Sequence, residues 1–543
     1  MIKAQLYEKV EIAVDFPATA TLCTPSGKKA DISSILSLNL DFSYDNDGYE
    51  SVKKVGERQV FRFFPDEIGI YEITYKNAST KIDVSRGNSK GFVTISKNDP
   101  RYFACSDGGF YLPIGINLAF PTVYLTPSGF RYIGIKQYEE WFEKCRQNGV
   151  SMARVWIGHE YFCPDTEEAG IFDPIKLSKI DILLDTARKY GIRLKLVLEQ
   201  FRHFNYERKA DSNTYDDDIF RKFNKRLYSN GKRCESCAEW LSNEIWKEAW
   251  IKKVGALAAR FSGDPIVFGI ELWNETDCLP RGLREDWNRE MLPAVKALFP
   301  KHLVTNSLGS LDSERAKLNY ENFCWEASDI KELHRYLDCG AEFDICQHGI
   351  IDLIRDGLNL ITDSSKPTVL SESGAVNDCH SGPFPYYQID DDGIIFCDSV
   401  YSPLFLGAAD CGNIWHWDMR YVEAKNHFSL FKPLADLCCE IDFDKEDFVS
   451  EVLENENTIL LLLKGKTTSI GYLRNKGFSW ETILRDKKQG VKEINANFAL
   501  QIDGTMEVVK IRDTYDSDLS YNGKELTVKS LIFGTLLKWK KAE

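Results

Sequence analysis

The chain has 543 residues, of which 43% are hydrophobic and 28% charged, the composition of a globular protein with more than one domain. Its net charge of −14 provides no basic surplus for a nucleic-acid backbone, so we expect no nucleic-acid partner. The longest tight aliphatic run, 459–463, is far too short to span a bilayer, so we expect no membrane partner.

The first residues run directly into an alternating strand pattern without the apolar core of a secretory signal. On that basis the 15 cysteines are interpreted as reduced thiols, and a cytoplasmic location is predicted. Cys234 and Cys237 form a lone pair without a second pair or nearby histidines, which favours a structural role. The oligomeric state is not predicted.

Residues 1–88 predict an N-terminal β-sandwich. Stretches such as Val10–Val14 alternate apolar and polar residues, and turn signals such as Asn46-Asp47-Gly48 separate them. Residues 446–543 return to alternating strands and predict a C-terminal β-sandwich.

Between them, residues 89–445 alternate apolar strands with amphipathic helices. One helix face, for example, carries Tyr138, Trp141, Phe142 and Cys145. The eight strands are predicted at 114–117, 153–157, 194–199, 265–275, 303–307, 343–348, 368–372 and 412–417. The predicted fold class is therefore multidomain α/β plus all-β, a (β/α)8 TIM barrel flanked by N-terminal and C-terminal β-sandwich domains.

Two predicted strands end in a carboxylate. The fourth runs through Glu271-Leu272-Trp273-Asn274-Glu275, and the seventh through Leu370-Ser371-Glu372-Ser373-Gly374. Barrel enzymes keep their chemistry at the carboxyl ends of the strands, and a glycosidase needs two carboxyl groups. Glu275 and Glu372 are therefore the candidate catalytic pair.

Strand alternation places Glu271, Trp273 and Glu275 on one face of the fourth strand. Lys195, on the third strand, is then predicted to form a buried ion pair with Glu271, because a buried carboxylate needs such a partner. The same alternation brings Arg154, His348, Trp415 and Trp417 to the barrel mouth.

The strand ends LWNE and LSESG resemble those of retaining glycoside hydrolases of clan A, the family 5-like (β/α)8 enzymes. The run Phe63-Phe64-Pro65-Asp66 also resembles the β-sandwich that precedes such barrels. The resemblance implies that Glu275 is the general acid/base and Glu372 the nucleophile. It further implies that Asn274 binds the sugar 2-hydroxyl, that Arg154 keeps Glu372 ionised and that Trp415 floors the subsite of the cleaved sugar. The polar and aromatic residues predicted at the mouth suit a neutral polyol substrate, and the further candidate substrate-binding residues are His348, Trp417, Asn117, Glu199, His159 and His203.

One departure from the family is expected. Many family 5 enzymes carry a tyrosine near the sixth strand that contacts the nucleophile, whereas the predicted sixth strand reads ICQHGI and offers only His348.

The predicted function is retaining hydrolysis of β-linked oligosaccharides or glycosides without cofactor or metal. Exo-action is favoured because long loops such as 202–240 and 377–395 would narrow the mouth. The alternatives are an endo-acting β-glycanase of the same clan and a catalytically silent carbohydrate-binding barrel. A metal-dependent hydrolase is disfavoured because the predicted strand ends lack clustered His and Asp ligands.

Overall fold

The computed structural model describes residues 1–127, 129–200, 204–205, 222–223, 226–380 and 382–541. Its centre is a ring of parallel strands: β1 (Gly115–Asn117), β2 (Met152–Trp156), β3 (Arg193–Val197), β4 (Val267–Glu271), β5 (Leu303–Thr305), β6 (Lys331–His334) and β7 (Thr368–Glu372). Strands β1 to β5 pair in chain order, and β6 pairs with β7.

Backbone hydrogen bonds close this ring into a barrel. Ile414 bridges Ser373, just after β7, and its carbonyl accepts the N–H of Asn117 at the end of β1. On the other side, the N–H of Asp329, just before β6, donates to Val304 of β5. Segment 413–415 therefore takes the eighth position of a (β/α)8 barrel within the described residues.

Helices alternate with these strands along the chain: α1 (Ile135–Gln147), α2 (Pro174–Tyr190), α3 (Cys237–Ser242), α4 (Glu244–Phe261), α5 (Arg281–Leu298), α6 (Glu314–Glu321), α7 (Ile350–Ile361), α8 (Ile394–Phe405), α9 (Phe431–Cys438) and α10 (Phe443–Glu446). The start of α2 is typical: Asp173 caps the N–H groups of Ile175 and Lys176, and Gly191 ends the helix at φ 73°. The four apolar residues predicted to share one face of α1 are all fully buried.

The sixth strand is where the sequence prediction was wrong. Segment 343–348 is not a strand, since Asp344–Gln347 forms a 3-10 helix, and the strand is Lys331–His334. The true strand carries charged and polar residues on the face that points into the barrel, so it has no hydrophobic alternation. The partly buried segment 343–348 alternates apolar and polar residues and was therefore predicted as a strand in its place.

Two sheets precede the barrel. One consists of Ile2–Gln5, Thr19–Cys23, Lys29–Ser33, Gly69–Tyr75 and Ala78–Ser85, and the other of Val10–Val14, Ile35–Tyr44 and Glu50–Phe63. A small sheet of Val93–Ile95, Phe103–Cys105 and Phe110–Tyr111 leads from them into the barrel. The pattern predicted an all-β arrangement here, and the strands agree with it.

Two sheets also follow the barrel. The first contains Val449–Glu454, Thr458–Lys464, Thr468–Asn475, Thr505–Lys510 and Gly534–Lys540, and the second Glu493–Ala499, Ser517–Tyr521 and Glu525–Leu531. In the described part of the chain no helix has the length and apolar character needed to cross a bilayer.

The loops between barrel elements contain short antiparallel strand pairs: Val123–Thr126 with Gly129–Tyr132, Phe204–Asn205 with Lys222–Phe223, and Tyr228–Ser229 with Lys232–Arg233. A parallel pair, Leu337–Asp338 and Ala375–Val376, extends β6 and β7 above the barrel. The predicted long loop 202–240 lies largely outside the described residues, whereas 377–395 contains a 3-10 helix, Pro385–Ile389.

Candidate active site

Glu275 reaches the barrel mouth because the chain leaves regular strand geometry just before it. Strand β4 ends at Glu271, and Glu275 adopts a left-handed backbone with φ 61°. Its side chain remains 24% exposed, whereas that of Glu271 is fully buried below it. A residue with a Cβ rarely adopts this backbone, which is found where the surrounding structure holds it.

Strand alternation therefore predicted the residues around Glu275 only in part. Glu271 faces the barrel axis as expected, but Trp273 packs outside the barrel against Trp240 and Trp287. Asn274, expected on the opposite face, instead accepts a hydrogen bond from Arg154 at 2.6 Å. Because the backbone is irregular after Glu271, side chains beyond it no longer alternate between the two faces of the strand.

Glu372 lies at the end of β7, where the pairing with β6 shifts register. Leu333 pairs with Leu370, but the next residue of β6, His334, pairs with Glu372 rather than Ser371. Bulges of this kind re-aim side chains and are common near active sites. This one sets His334 beside Glu372.

Arg154 connects the two strand ends. Its Nη1 donates to Glu372 at 2.6 Å, and its Nε and Nη2 bind both oxygens of Glu271 at 2.7 Å. Asn117 accepts from the same guanidinium at 3.1 Å, and its own amide donates to the carbonyls of Ser371 and Asn413. Asn117 thus braces Arg154 from the end of β1.

Lys195 lies one layer deeper in the barrel. Its ammonium is 3.1 Å from Glu271, the predicted partner, and 2.5 Å from Glu332 of β6, which was not predicted. All three side chains are buried. Together with Arg154 they form an alternating chain of charges beneath the site.

Sequence reasoning missed two residues of β6 and its following turn. The Nδ1 atom of His334 lies 3.0 Å from Glu275 and 3.5 Å from Glu372, and the hydroxyl of Tyr336 donates to Glu372 at 2.5 Å. The expected departure from the family is therefore wrong, because a tyrosine beside the sixth strand does contact Glu372. The sequence signal that could have identified them is the short run Leu333-His334-Arg335-Tyr336. It was missed because the strand before it is charged and lacks a hydrophobic pattern.

The assignment of His348 to the site is also wrong. Its side chain is 54% exposed and lies 3.4 Å from Asp344 and from Glu481. This histidine follows the 3-10 helix that had been taken for the sixth strand, so its predicted place at the mouth belongs to His334.

Of the two predicted tryptophan contacts, one lies at the barrel mouth and the other packs beneath it. Trp415 is half-buried and packs 5.2 Å from Trp156, while Trp417 is buried between Phe120 and Trp141. Only Trp415 of this pair offers a partly open surface. Trp417 supports it from below, with the two ring centres 5.0 Å apart.

His159 and Glu199 lie behind the mouth rather than in it. His159 stacks on Phe120 with ring centres 4.5 Å apart. Glu199 points outward from the end of β3, where it forms an ion pair with Lys253 and accepts the indole N–H of Trp250 at 3.0 Å. Both residues are buried. His203, also a candidate substrate-binding residue, lies outside the described residues.

The two candidate catalytic carboxylates lie in different electrostatic surroundings. Burial raises the pKa of Glu275 to about 8, and the negative charge of Asp277 adds to the effect. Burial also raises the pKa of Glu372, and the negative charge of Glu275 adds to that rise, whereas Arg154 and the Tyr336 hydroxyl oppose it. Burial lowers the pKa of His334, so this imidazole is neutral near pH 7. Arg154 and Tyr336 donate hydrogen bonds to Glu372, which favour its ionised form, whereas burial favours the protonated form of Glu275.

Two groups at the mouth combine a histidine with carboxylates, contrary to the expectation that such clusters are lacking. Glu275, His334 and Glu372 form one, and Asp312, Asp338 and His380 form the other, each with its donor atoms within 4.8 Å. In the first group Arg154 already supplies a positive charge to Glu372. In the second, His380 binds Asp338 directly at 2.7 Å.

No protein-family model matches the chain. Among curated proteins, mannan endo-1,4-beta-mannosidase 4 of Oryza sativa subsp. japonica is 28% identical over 198 residues, which is 33% of this chain and 40% of the rice protein. Mannan endo-1,4-beta-mannosidase F of Aspergillus clavatus is 24% identical over 182 residues, 30% of this chain and 37% of the relative. The chain thus spans about two fifths of the length of these relatives.

Solved structures share the fold at low identity. A glycoside hydrolase family 5 structure from Bacteroides vulgatus ATCC 8482 superposes with a TM-score of 0.50 at 12% identity, covering 83% of this chain and 94% of that one. A candidate glycoside hydrolase from the same organism gives 0.52 at 11% identity and covers 99% of this chain and 100% of its own. The names of the relatives and the fold of the neighbours agree with the resemblance to family 5-like glycoside hydrolases of clan A.

Proposed function

We propose that this chain is a retaining β-glycoside hydrolase in which Glu275 is the general acid/base and Glu372 the nucleophile. The observation that carries the proposal is the pair of strand-end carboxylates with oxygens within 4.8 Å of each other. Retaining enzymes hold their two carboxyl groups about 5–5.5 Å apart, whereas inverting enzymes leave room for a water between them.

The mechanism follows from the neighbours of each carboxylate. Ionised Glu372 attacks the anomeric carbon while protonated Glu275 donates its proton to the departing glycosidic oxygen, which leaves a glycosyl ester on Glu372. Glu275, now a carboxylate, removes a proton from water as that water attacks the anomeric carbon and frees Glu372. The sugar is released with its original configuration.

Arg154, Tyr336 and His334 assist these two reaction steps without forming covalent bonds to the sugar. Arg154 and Tyr336 donate to Glu372 at 2.6 and 2.5 Å, which stabilises its ionised form before attack and again when the ester breaks. Neutral His334 lies between the carboxylates and fixes their relative position. Asn274 is held by Arg154 beside Glu275, in reach of a substrate hydroxyl.

For the substrate, we propose small β-mannosides or β-linked manno-oligosaccharides. The support is that the curated relatives are named as mannan endo-1,4-beta-mannosidases. Exo-action remains the first choice because the sequence has long segments after the third and seventh strands. The first alternative is endo-action on a mannan chain. The second alternative is a catalytically silent carbohydrate-binding barrel.

We also propose that the sheet pairs on either side of the barrel are β-sandwich domains, with boundaries at 1–88, 89–445 and 446–543. A cytoplasmic location is proposed from the sequence alone.

The test is turnover of a panel of aryl β-glycosides and manno-oligosaccharides by the wild type and three variants. We expect Glu372→Ala to lose activity and to regain it with azide, giving a glycosyl azide of inverted configuration. Glu275→Ala should regain activity with azide only on an activated leaving group. Glu321→Ala, an exposed glutamate at the end of α6, is the matched control and should behave as wild type.

The products separate the alternatives. Release of mannose alone from mannotriose and longer chains indicates exo-action, whereas mixed oligosaccharides indicate endo-action. Binding of glycans without turnover of any panel member would replace the hydrolase proposal with the silent binding barrel.

A further inference from the structure

The segment that carries Glu275 is held by the residues around the end of β5. Leu272 donates its N–H to the carbonyl of Thr305 at 3.0 Å, which continues the strand pairing. Beyond that point side chains take over: the N–H of Trp273 donates to Asn306 Oδ1 at 2.8 Å, and that of Glu275 to Ser307 Oγ at 3.0 Å.

Ser307 makes the contacts on both sides of the left-handed residue. Its hydroxyl oxygen accepts the N–H of Glu275, and its carbonyl accepts both the N–H and the hydroxyl of Thr276 at 3.0 Å. Left-handed backbone is unfavourable for a residue with a Cβ, so Glu275 keeps φ 61° only while such contacts persist. Ser307 is itself fully buried, which fixes its rotamer.

The hydroxyl proton of Ser307 points to the charge network. Glu271 Oε1 accepts it at 2.7 Å, while the alternative acceptor, the carbonyl of Trp273, is 3.4 Å away. A carboxylate acceptor gives the stronger bond. Because Glu271 also holds Arg154, one hydroxyl links the backbone of Glu275 to the guanidinium that binds Glu372.

We propose that Ser307 is a positioning residue for the acid/base: it holds Glu275 where its carboxyl group can protonate the departing glycosidic oxygen. This inference rests on the proposed function. Ser307 is fully buried and bonds the backbone of Glu275 directly, whereas it reaches Glu372 only through Glu271 and Arg154, so we expect its main effect to act through Glu275. The step that depends on Glu275 is protonation of the leaving group.

The test is the dependence of kcat/KM on the leaving group in Ser307→Ala. We expect a loss of about 10- to 100-fold on aryl glycosides with poor leaving groups, and of less than about threefold on a dinitrophenyl glycoside, which departs without acid assistance. Ser307→Thr keeps the hydroxyl and should recover most of the loss.

Thr305→Val is the matched control. It removes a buried hydroxyl two residues earlier, whose bonds go to Ser328 and to the Ile330 carbonyl rather than to a carboxylate. An equal loss on both classes of leaving group, or the same pattern in Thr305→Val, would overturn the proposal.

A crystal structure of Ser307→Ala tests the proposal without turnover. We expect Glu275 to leave its left-handed conformation or its carboxylate to move relative to Glu372. An unchanged Glu275 overturns the positioning role whatever the activity. If the wild type cleaves no glycoside, the hydrolase proposal fails, and the crystal structure still decides whether Ser307 holds Glu275.

Discussion

Two glutamates with the same intrinsic acidity meet different neighbours at the ends of the fourth and seventh strands. Glu372 accepts from a guanidinium and a phenol, both of which stabilise its charge. Glu275 has the negative charge of Asp277 nearby, which disfavours a second charge, and the neutral His334 at 3.0 Å. Environment alone therefore separates the proposed acid from the proposed nucleophile.

Tyr336→Phe should lower kcat by about 10- to 100-fold, because a hydrogen bond to a charged group is worth about 1.5–3 kcal/mol. Steady-state kinetics on an aryl glycoside checks this. Tyr421→Phe is the matched control. The Tyr421 hydroxyl donates at 2.6 Å to another buried carboxylate, that of Asp390, which does not belong to the mouth. Equal kcat losses in both variants would mean that the effect is not specific to Glu372.

Activity should fall as the pH rises through about 8, because Glu275 must be protonated to donate to the leaving group. Asp277→Asn removes a like charge, so the pKa of Glu275 decreases and the basic limb of the kcat/KM profile moves to lower pH. Roughly two- to tenfold less activity at pH 8 is expected, with little change at pH 6.

The amide of Asp277→Asn can still accept the N–H of Gly309, which Asp277 now binds at 2.7 Å, so the loop should keep its structure. A basic limb that stays in place or moves to higher pH would contradict the assignment of Glu275 as the acid.

At the scale of the strand, β6 shows how a barrel interior can be polar. Glu332 and His334 point inward, one to Lys195 and the other to the proposed catalytic pair, while Leu333 is buried in the hydrophobic core. Each inward charge has a partner of opposite sign or a hydrogen bond. Such a strand is stable only inside its barrel, where neighbouring strands bring these partners.

Lys195→Met should reduce the free energy of unfolding by about 3–5 kcal/mol, because it leaves Glu271 and Glu332 buried without their shared cation. Urea denaturation followed by tryptophan fluorescence measures this. The double variant Lys195→Met/Glu332→Gln should recover part of the loss, since one buried charge is removed. Wild-type stability in the single variant would show that the ion pair contributes nothing.

At the scale of the whole molecule, buried ion pairs join the outer sheets to the barrel helices. Arg62 of strand Glu50–Phe63 binds both oxygens of Asp181 on α2, at 2.7 and 3.0 Å. On the other side, Arg474 of strand Thr468–Asn475 binds both oxygens of Asp398 on α8, at 2.6 and 2.8 Å. The pairs fix how the outer sheets dock on the barrel, at a distance from the mouth.

Arg474→Met should destabilise the protein by about 3–5 kcal/mol in urea denaturation, because Asp398 would be left buried without its cation. KM should change little, since the pair is remote from Glu275 and Glu372. Lys540→Met is the control: it breaks an exposed pair with Glu440, and its unfolding curve should match that of the wild type. Similar urea unfolding curves for the two variants would contradict the docking role of Arg474.

The residue pattern of the chain predicts most of the barrel strands and both carboxylates at the mouth. Apolar strands ending in Asn274-Glu275 and in Glu372 carry a local signal, because burial on both faces demands aliphatic residues and the change to polar residues marks the strand end. The pairing of Lys195 with Glu271 followed from the same alternation, since a buried carboxylate requires a cation.

The other residues of the site could be placed only once the strands were seen side by side. His334 ends a strand whose inward face is charged, and Tyr336 lies in the turn that follows it, so no hydrophobic pattern marks either residue and their partners come from distant strands. The left-handed turn at Glu275 and the register shift at Glu372 depend on contacts with β5 and β6, which alternation within one strand cannot contain. The physical reason is that strand periodicity is local, whereas the direction in which a side chain points at an irregular strand end is set by neighbouring strands.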